Sequence, residues 1–202
     1  MRVLYYTKCV IILAALCWLH PDTAVSQSRF HMELDYHYRW GLNESGYNYH
    51  FSRSDMDMYG HSLHLTAFYK VAKRLSLGIG IGTDRYESPG YNTFPLFVSG
   101  HYQPLPVRLP GGYVYSNLGY GIGSGVSVTN GWLWDLGIGY KKMFRKHLGL
   151  NFQLGYNLKQ FRGIPAYDVV ETPDTEPGFE VLYLGGKNSL RHSLSVGVGL
   201  IL

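Results

Sequence analysis

The stretch from residue 30 to residue 40 alternates between apolar and polar side chains without exception, and it constrains the fold more than any other feature. Its even positions are apolar or aromatic: Phe30, Met32, Leu34, Tyr36, Tyr38 and Trp40. Its odd positions are polar or charged: His31, Glu33, Asp35, His37 and Arg39. Because alternate side chains of a β-strand point to opposite faces, this pattern predicts a strand with one apolar and one polar face. Its length matches the roughly 9–11 residues that a tilted strand needs to cross a bilayer.

Seven further segments alternate in the same way, which brings the number of predicted strands to eight. They cover residues 59–71, 75–83, 94–102, 113–123, 132–141, 148–158 and 190–202. No segment has the period of an amphipathic helix. The predicted connections are tight turns at 72–74 and 143–147, a Pro-rich turn at 103–112, and loops at 42–58, 84–92, 124–131 and 161–189. An even number of strands, with short turns on one side and longer loops on the other, is typical of a bacterial transmembrane barrel whose termini face the periplasm.

A signal peptide is predicted at residues 1–26. It has a positively charged start, an apolar run at residues 9–19, and two small residues, Ala24 and Ser26, just before the predicted cleavage site. The apolar run is shorter than the roughly 20 residues of a transmembrane helix. An export signal without a helical anchor leaves two classes of protein, a secreted soluble protein and an inserted barrel.

The predicted mature chain, residues 27–202, is a single domain with a small positive net charge. This charge is too weak to indicate binding to nucleic acid. Both cysteines of the sequence, Cys9 and Cys17, fall in the leader. The mature domain is therefore predicted to have no disulfide and no metal site built on cysteine.

Alternation alone does not decide which face of the barrel is inside. A soluble eight-stranded barrel of the lipocalin kind would turn its apolar face inward and hold an apolar ligand. The long strands, and a polar face rich in glycine and serine, favour instead a narrow barrel with its apolar face toward lipid. Aromatic residues near the strand ends, which form interfacial girdles in membrane barrels, favour the same orientation: Trp40, Tyr59, Tyr69, Tyr102, Trp132, Trp134, Tyr140 and Tyr156.

The segments TFPLFVSGHYQP, GYVYSNLGYGIG, WLWDLGIGYKKMF and HSLSVGVGL resemble small outer-membrane β-barrel proteins of the porin-like, OmpA/OmpX-like superfamily. The resemblance covers nearly the whole mature chain and rests on strand pattern and glycine-aromatic texture, not on a catalytic motif. It implies an all-β fold, an eight-stranded antiparallel up-and-down transmembrane β-barrel. It also implies a Gram-negative outer membrane, contact with its lipid and lipopolysaccharide, and insertion by the barrel-assembly machinery.

The polar face of this barrel is the strongest candidate for a functional site. We predict a network of polar side chains in the lumen, formed by Glu33, Asp35, His37, Arg39, His64, Asp135, Lys141 and Arg191. Buried charges need partners because desolvation is costly, so the network is interpreted as a plug of ion pairs and hydrogen bonds. The alternative is a narrow pore for small ions or solutes, although the interior of an eight-stranded barrel is only wide enough for side chains. Closure of the barrel makes the first and last strands neighbours, which is expected to bring Arg191 near the polar row of the first strand.

Two catalytic interpretations compete with this plug. Ser62, His64 and Glu33 share the polar parity and suggest a nucleophile, a base and an orienting acid, but a filled lumen would exclude substrate. Some barrel enzymes modify lipids with His and Ser on the lipid-facing side, where this chain has His61, Ser116 and His192. These positions match no such enzyme, so we predict no enzymatic activity and keep a lipid-modifying enzyme as an alternative.

Acidic side chains gather in the last predicted loop: Asp168, Glu171, Asp174, Glu176 and Glu180. Clustered carboxylates suit calcium, but the spacing of a calcium loop is absent, and we predict a solvated surface with no metal and no cofactor. The predicted function is a structural, adhesive or ligand-contacting role through the outer loops, and the sequence does not identify the ligand.

Overall fold

The computed structural model describes residues 29–123, 129–145, 147–172 and 178–202, without the side chains of 169–172 and 178–180. These residues form nine strands: β1 (Phe30–Ser45), β2 (His50–Ser52), β3 (Tyr59–Ala72), β4 (Leu75–Glu87), β5 (Tyr91–Tyr102), β6 (Gly112–Ile122), β7 (Gly131–Arg145), β8 (Leu148–Thr172) and β9 (Gly178–Ile201). All except the short β2 form one antiparallel ring in chain order, and β9 pairs back with β1. The prediction of an all-β, eight-stranded up-and-down barrel is confirmed. The predicted leader lies outside the described residues, in which no helix is long and apolar enough to cross a membrane.

The register of the ring matches like faces on neighbouring strands. Leu34 of β1 lies opposite Leu65 of β3 and Leu200 of β9, whereas the next residue, Asp35, lies opposite His64. A slip by one residue would exchange the two faces of a strand, so the alternation of the sequence fixes the pairing. Closure of the ring by β1 and β9 leaves no free strand edge in the barrel wall.

The apolar face of the sheet points outward. Leu34 is only half-buried, while Asp35 and its neighbours on the odd positions of β1 are buried inside the ring. Large aliphatic side chains at mid-barrel are strongly exposed, and Ile79 keeps 67% of its surface free. The apolar residues therefore form the outside of this barrel, and its core is polar and aromatic.

Glycines on the inner face make room for large aromatic rings. A Cβ atom at Gly80 of β4 would collide with the ring of Phe97 from β5, and one at Gly78 would meet the ring of Phe68 at 2.7 Å. Phe68 and Phe97 are almost fully buried in the lumen. The inner face rich in glycine thus reflects a lumen filled by aromatic and polar side chains, as a barrel of this width requires.

The structure corrects the prediction of a loop at residues 161–189. There, β8 and β9 continue well past the barrel wall as a two-stranded hairpin, whose register shifts near Phe161 and again near Pro165. Gly163 (φ 75°) and Gly185 (φ 81°) adopt the left-handed backbone that such bulges use. We call the side of the barrel from which this hairpin projects the hairpin end, and the opposite side, where β1 begins and β9 ends, the terminal end.

Two other predicted loops are shorter than expected. The predicted loop at 42–58 contains the end of β1 and the whole of β2, and the predicted loop at 84–92 shrinks to residues 88–90 because β4 and β5 are longer than predicted. Most of the predicted loop at 124–131 lies outside the described residues. The hairpin end is thus largely built of extended strands.

Candidate functional site

The eight residues of the predicted lumen network all lie inside the barrel wall. Glu33, Arg39, Arg191 and their neighbours on the inner face are buried, and Lys141 at the terminal end is part-buried. Arg39 is 1% exposed and Arg191 is 0% exposed, so their charges are fully withdrawn from solvent. Their partners arrange the network in three levels along the barrel axis.

The level nearest the terminal end is centred on Glu33. Its carboxylate lies 2.7 Å from His31 Nε2, accepts a hydrogen bond from Asn151 Nδ2 at 3.0 Å, and forms an ion pair with Lys141. Lys141 Nζ also lies 3.0 Å from His101 Nδ1. A buried carboxylate is stable only with such compensation, and these contacts join β1, β5, β7 and β8 across the lumen.

Asp35 and His37 enter the same level through amide side chains. Asn151 Nδ2 donates to Asp35 Oδ1 at 2.9 Å, and its Oδ1 accepts from Tyr113 Oη at 2.6 Å. Gln153 donates to Tyr113 Oη at 2.9 Å and lies 2.6 Å from His37 Nε2 through its Oε1. The two amides therefore connect ionisable side chains that do not contact each other directly.

The middle level is centred on Arg39. Its Nε donates to Ser62 Oγ at 2.7 Å, its Nη1 donates to Asp135 Oδ1 at 3.0 Å, and its Nη2 lies 3.8 Å from Asp84 Oδ1. His64 Nε2 lies 2.7 Å from the same Asp84 oxygen. One guanidinium thus faces two carboxylates, and the arrangement spans the lumen from β1 to β7.

The level at the hairpin end is centred on Arg191, and it corrects the expected position of that residue. Arg191 lies opposite Glu44 in the register and donates to its Oε2 from Nε at 2.7 Å, far along β1 from Glu33 and Asp35. Its other nitrogens donate to the backbone oxygens of Glu87 at 3.0 Å and Ser88 at 3.1 Å. Arg191 therefore connects the wall to the β4–β5 turn and covers the lumen at the hairpin end.

The alternation of the sequence does not predict the inward position of Glu44, because Glu44 is an even residue in a predicted loop. The register between β1 and β9 shifts between Gly41 and Asn43, so a β-bulge reverses the alternation and turns Glu44 inward. Glu44 is fully buried, and its second oxygen accepts hydrogen bonds from Ser189 and Tyr49, each at 2.9 Å. A polar residue at the end of a long alternating strand was the only signal in the sequence.

Aromatic rings fill the space around Arg191. The rings of Tyr86 and Phe161 lie 5.6 Å and 5.4 Å from its guanidinium carbon, within the range of cation–π contacts. Tyr91 packs on Phe161 with the ring centroids 4.6 Å apart.

The residues of the suggested catalytic triad have separate partners. Ser62 accepts from Arg39, His64 pairs with Asp84, and Glu33 pairs with His31 and Lys141 at another level of the lumen. The structure thus places the three side chains in one interior but does not bring them together as nucleophile, base and orienting acid.

The three outward residues weighed for lipid chemistry are also apart from each other. His61 Nδ1 lies 2.6 Å from Tyr36 Oη, and His192 forms a hydrogen bond with Tyr156. Ser116, on a different part of the wall, accepts from Trp134 Nε1 at 3.0 Å. Each polar group is held by an aromatic neighbour on the outer surface.

Acidic residues of the outer segments are only partly covered by the structure. Asp55 accepts hydrogen bonds from the amide and hydroxyl of Ser52, which lower its pKa, and Asp57 lies 3.9 Å from Arg53. Asp174 and Glu176 lie outside the described residues. Among the described side chains, no group of three or more His, Cys, Asp or Glu residues has the geometry to hold a metal ion.

The outer surface of the ring is a continuous apolar band. Its middle is aliphatic: Leu65, Ile79, Ile81, Leu96, Val98, Leu118, Leu136, Ile138, Leu154 and Val196. Exposed aromatic residues lie toward the two ends, among them Trp40 and Tyr59 at the hairpin end, and Tyr69 and Tyr102 at the terminal end. Soluble monomers rarely expose apolar patches beyond a few hundred Å², and an aliphatic band between aromatic girdles is the surface of a transmembrane barrel.

The chain matches no protein-family profile and no curated protein. Among solved structures it is similar to Neisserial surface protein A, with 15% identity, coverage of 85% of this chain and 96% of the other, and a TM-score of 0.47. It is similar to the outer membrane protein OprG from Pseudomonas aeruginosa, with 10% identity, coverage of 90% and 99%, and a TM-score of 0.43. It is also similar to the outer membrane protein AlkL, with 12% identity, coverage of 89% and 94%, and a TM-score of 0.41.

Proposed function

We propose that this small outer-membrane β-barrel is a sealed surface protein. Its wall anchors it among membrane lipids, its polar lumen holds the strands together, and its hairpin end contacts molecules outside the cell. In this proposal Ser62 and the interior histidines are structural, and the barrel carries out no catalytic step.

The charge distribution supports an orientation with the terminal end in the periplasm and the hairpin end outside. The connections at the terminal end contain Lys73, Arg74 and Arg108, β7 ends at Arg145, and the sequence of these connections has no acidic residue. Long basic side chains at this level extend toward lipid headgroups and water. The acidic residues of the chain are concentrated at the hairpin end, and outer-membrane barrels have their longer segments outside the cell.

The observation that carries the proposal is the blocked lumen. Arg39 and Arg191 cross it at two levels, each with less than 2% of its surface exposed, and Glu33 with its partners crosses it at a third. Buried aromatic rings, including Phe97 and Phe161, occupy space between these levels. Each level is held by ion pairs and hydrogen bonds to several strands, so free flow of solutes would require these contacts to break.

A planar lipid bilayer tests this proposal. We expect the purified barrel to insert without reproducible conductance steps, because buried charged and aromatic side chains occupy its lumen at three levels. A plug-deficient barrel with Arg191→Ala, Phe161→Ala and Arg39→Ala should show steps under the same conditions, which establishes that insertion and detection work.

A narrow ion path is the second candidate, because polar groups follow one another along the lumen from Lys141 to Arg191. Reproducible steps from the unmodified barrel, changed by Glu33→Gln or Asp35→Asn, would contradict the sealed interior and support that path. Steps of equal size in the unmodified and plug-deficient barrels would also contradict the sealed interior, since the plug would then not block the lumen.

A further inference from the structure

We propose that a cleft at the hairpin end binds a single sugar ring that carries one carboxylate. The hairpin cleft lies between the turn joining β1 to β2 and the base of the β8–β9 hairpin, and it is lined by Tyr47, Asn48, Ile164, Tyr167, Lys187 and Asn188. The inference deepens the proposed surface role and rests on it, since the cleft must face the outside to meet such a ligand.

The fold builds this cleft from two bends. The amide of Gly46 donates to the backbone oxygen of Tyr49 at 2.9 Å, which closes a tight turn and raises Tyr47 and Asn48 above the barrel rim. Opposite this turn, the bulges at Gly163 and Gly185 bend the hairpin. The cleft thus lies where a tight turn of one strand pair faces the bulged base of another.

One wall of the cleft is fixed to the plug of the barrel. Tyr49 lies directly after the residues of the raised turn, and its hydroxyl donates to the buried Glu44 carboxylate at 2.9 Å. The same carboxylate is paired with Arg191. A preorganised wall lowers the entropy cost of ordering a bound ligand, so a small ligand can be held with few contacts.

The volume and lining of the cleft match a monosaccharide. The cavity measures about 230 Å³, which is below the roughly 300–1,000 Å³ of sites for drug-sized molecules. Tyr47 and Tyr167 are each 58% exposed, in contrast to the buried tyrosines of the lumen. The C–H face of a pyranose packs on such rings, and the side-chain amides of Asn48 and Asn188 offer both donors and acceptors to its hydroxyl groups.

Lys187 sets the charge of the ligand. Its Nζ lies 4.7 Å from the centroid of the Tyr47 ring, which holds the ammonium group at the cleft wall. Among the residues that the structure describes, it is the one charged side chain that lines the cleft. The hairpin beyond the cleft is acidic, from Asp168 onward, so a densely charged polyanion is repelled while one carboxylate beside Lys187 is favoured.

The test uses methyl β-D-glucuronide and its neutral counterpart, methyl β-D-glucoside, with the full mature barrel in detergent micelles. We expect saturation-transfer NMR to show the glucuronide bound through its ring C–H groups, with weaker binding of the glucoside. Lys187→Gln should lower glucuronide affinity about threefold to tenfold and leave the glucoside unchanged, because the exposed charge pair is lost. Tyr167→Ala should weaken both sugars.

Leu182→Ser is the matched control, since this exposed hairpin residue does not line the cleft, and it should bind like the unmodified protein. No saturation transfer, or equal glucuronide binding by the Lys187→Gln variant, would overturn the inference. Neither outcome affects the sealed barrel, which the conductance measurement tests independently.

Proteoliposomes with and without lipopolysaccharide separate the two sources of such a sugar. Loss of glucuronide binding when lipopolysaccharide is present would identify the ligand as an acidic core sugar of the same membrane. Unchanged binding would identify it as a free or foreign glycan, and either result keeps the acidic sugar as the ligand.

Discussion

At the scale of single residues, the structure uses buried charges as strand ties. Arg191 and Glu44 have no exposed surface, and each has several further partners besides the other. Removing one member of such a pair leaves an uncompensated buried charge, which costs more than the pair itself contributes. At the hairpin end, loss of one partner of the pair should therefore destabilise the barrel more than replacement of both partners by neutral side chains.

The Arg191→Ala variant is expected to lower the free energy of unfolding by about 3–5 kcal/mol, because Glu44 stays buried without its cation. Urea unfolding of the barrel in lipid vesicles, followed by tryptophan fluorescence, measures this change. Arg162→Ala is the matched control, since Arg162 is an exposed arginine that donates to Tyr120 at 3.2 Å, and it should cost less than about 1 kcal/mol. The combined change Glu44→Gln and Arg191→Met should recover most of the loss. Equal effects of the two alanine variants would contradict a buried ion pair.

At the scale of elements, the bulge in β1 decides which residues reach the lumen at the hairpin end. One extra residue, Leu42, lies between the paired positions Gly41 and Asn43. Before the bulge the odd residues of β1 face inward, and after it Glu44 does. A single backbone irregularity therefore delivers the acidic partner of Arg191.

Deletion of both Leu42 and Asn43 is expected to give a strictly alternating strand in which Glu44 directly follows the inward-facing Gly41 and therefore turns outward. The free energy of unfolding should fall by about 3–5 kcal/mol, because Arg191 then stays buried without its carboxylate. Adding Arg191→Ala to the double deletion should cost much less than it does alone, because the pair is already broken. The urea measurement checks this, with deletion of Leu42 alone as the matched control, since it removes the bulge but keeps Glu44 inward, opposite Arg191. Simple additivity of the double deletion and Arg191→Ala would rule out the inward position of Glu44 as the role of the bulge.

The alternation of the sequence predicted the strands of the barrel wall because each of those strands separates lipid from a filled lumen. It failed in the hairpin at 161–189, where neither face is covered by a barrel, so no period of two is imposed on the side chains. Parity placed Arg39 and Asp135 on the inner face, but their contact joins residues 96 positions apart. Such pairs depend on the strand stagger around the ring, which a single sequence does not encode locally.

At the scale of the whole molecule, the outside of this protein resembles the inside of a soluble one. Ile79, Ile138 and Val196 are each more than half exposed, whereas arginine and glutamate occupy the core. Lipid acyl chains cover the apolar side chains that a soluble protein would bury in its core. The closed hydrogen-bonded wall separates the polar interior from this lipid. The two surfaces can be distinguished by probes placed on neighbouring residues.

Tryptophan quenching by lipids with brominated acyl chains provides this measurement. In a background with Trp40, Trp132 and Trp134 replaced by Phe, the Val98→Trp variant should be strongly quenched, because Val98 points into the apolar band. Phe97→Trp should be quenched weakly, since Phe97, the neighbour of Val98 in the chain, points into the lumen. Tyr113→Trp is a second inward probe if Phe97→Trp does not fold into a β-rich barrel by circular dichroism. Equal quenching of inward and outward probes would contradict the assigned faces.

The long β8–β9 hairpin has a consequence for how copies of this protein meet. Within the bilayer each wall strand is paired on both sides, whereas residues 163–172 and 178–189 pair only with each other, as far as the structure describes them. Backbone-mediated oligomerisation is thereby restricted to the aqueous side of the membrane. Pro165, which has no amide donor, and the negative charge of the hairpin both oppose it there. We therefore expect copies of the protein to reach high density in a membrane without pairing edge to edge, because proline and negative charge lie at the accessible backbone edges of the hairpin.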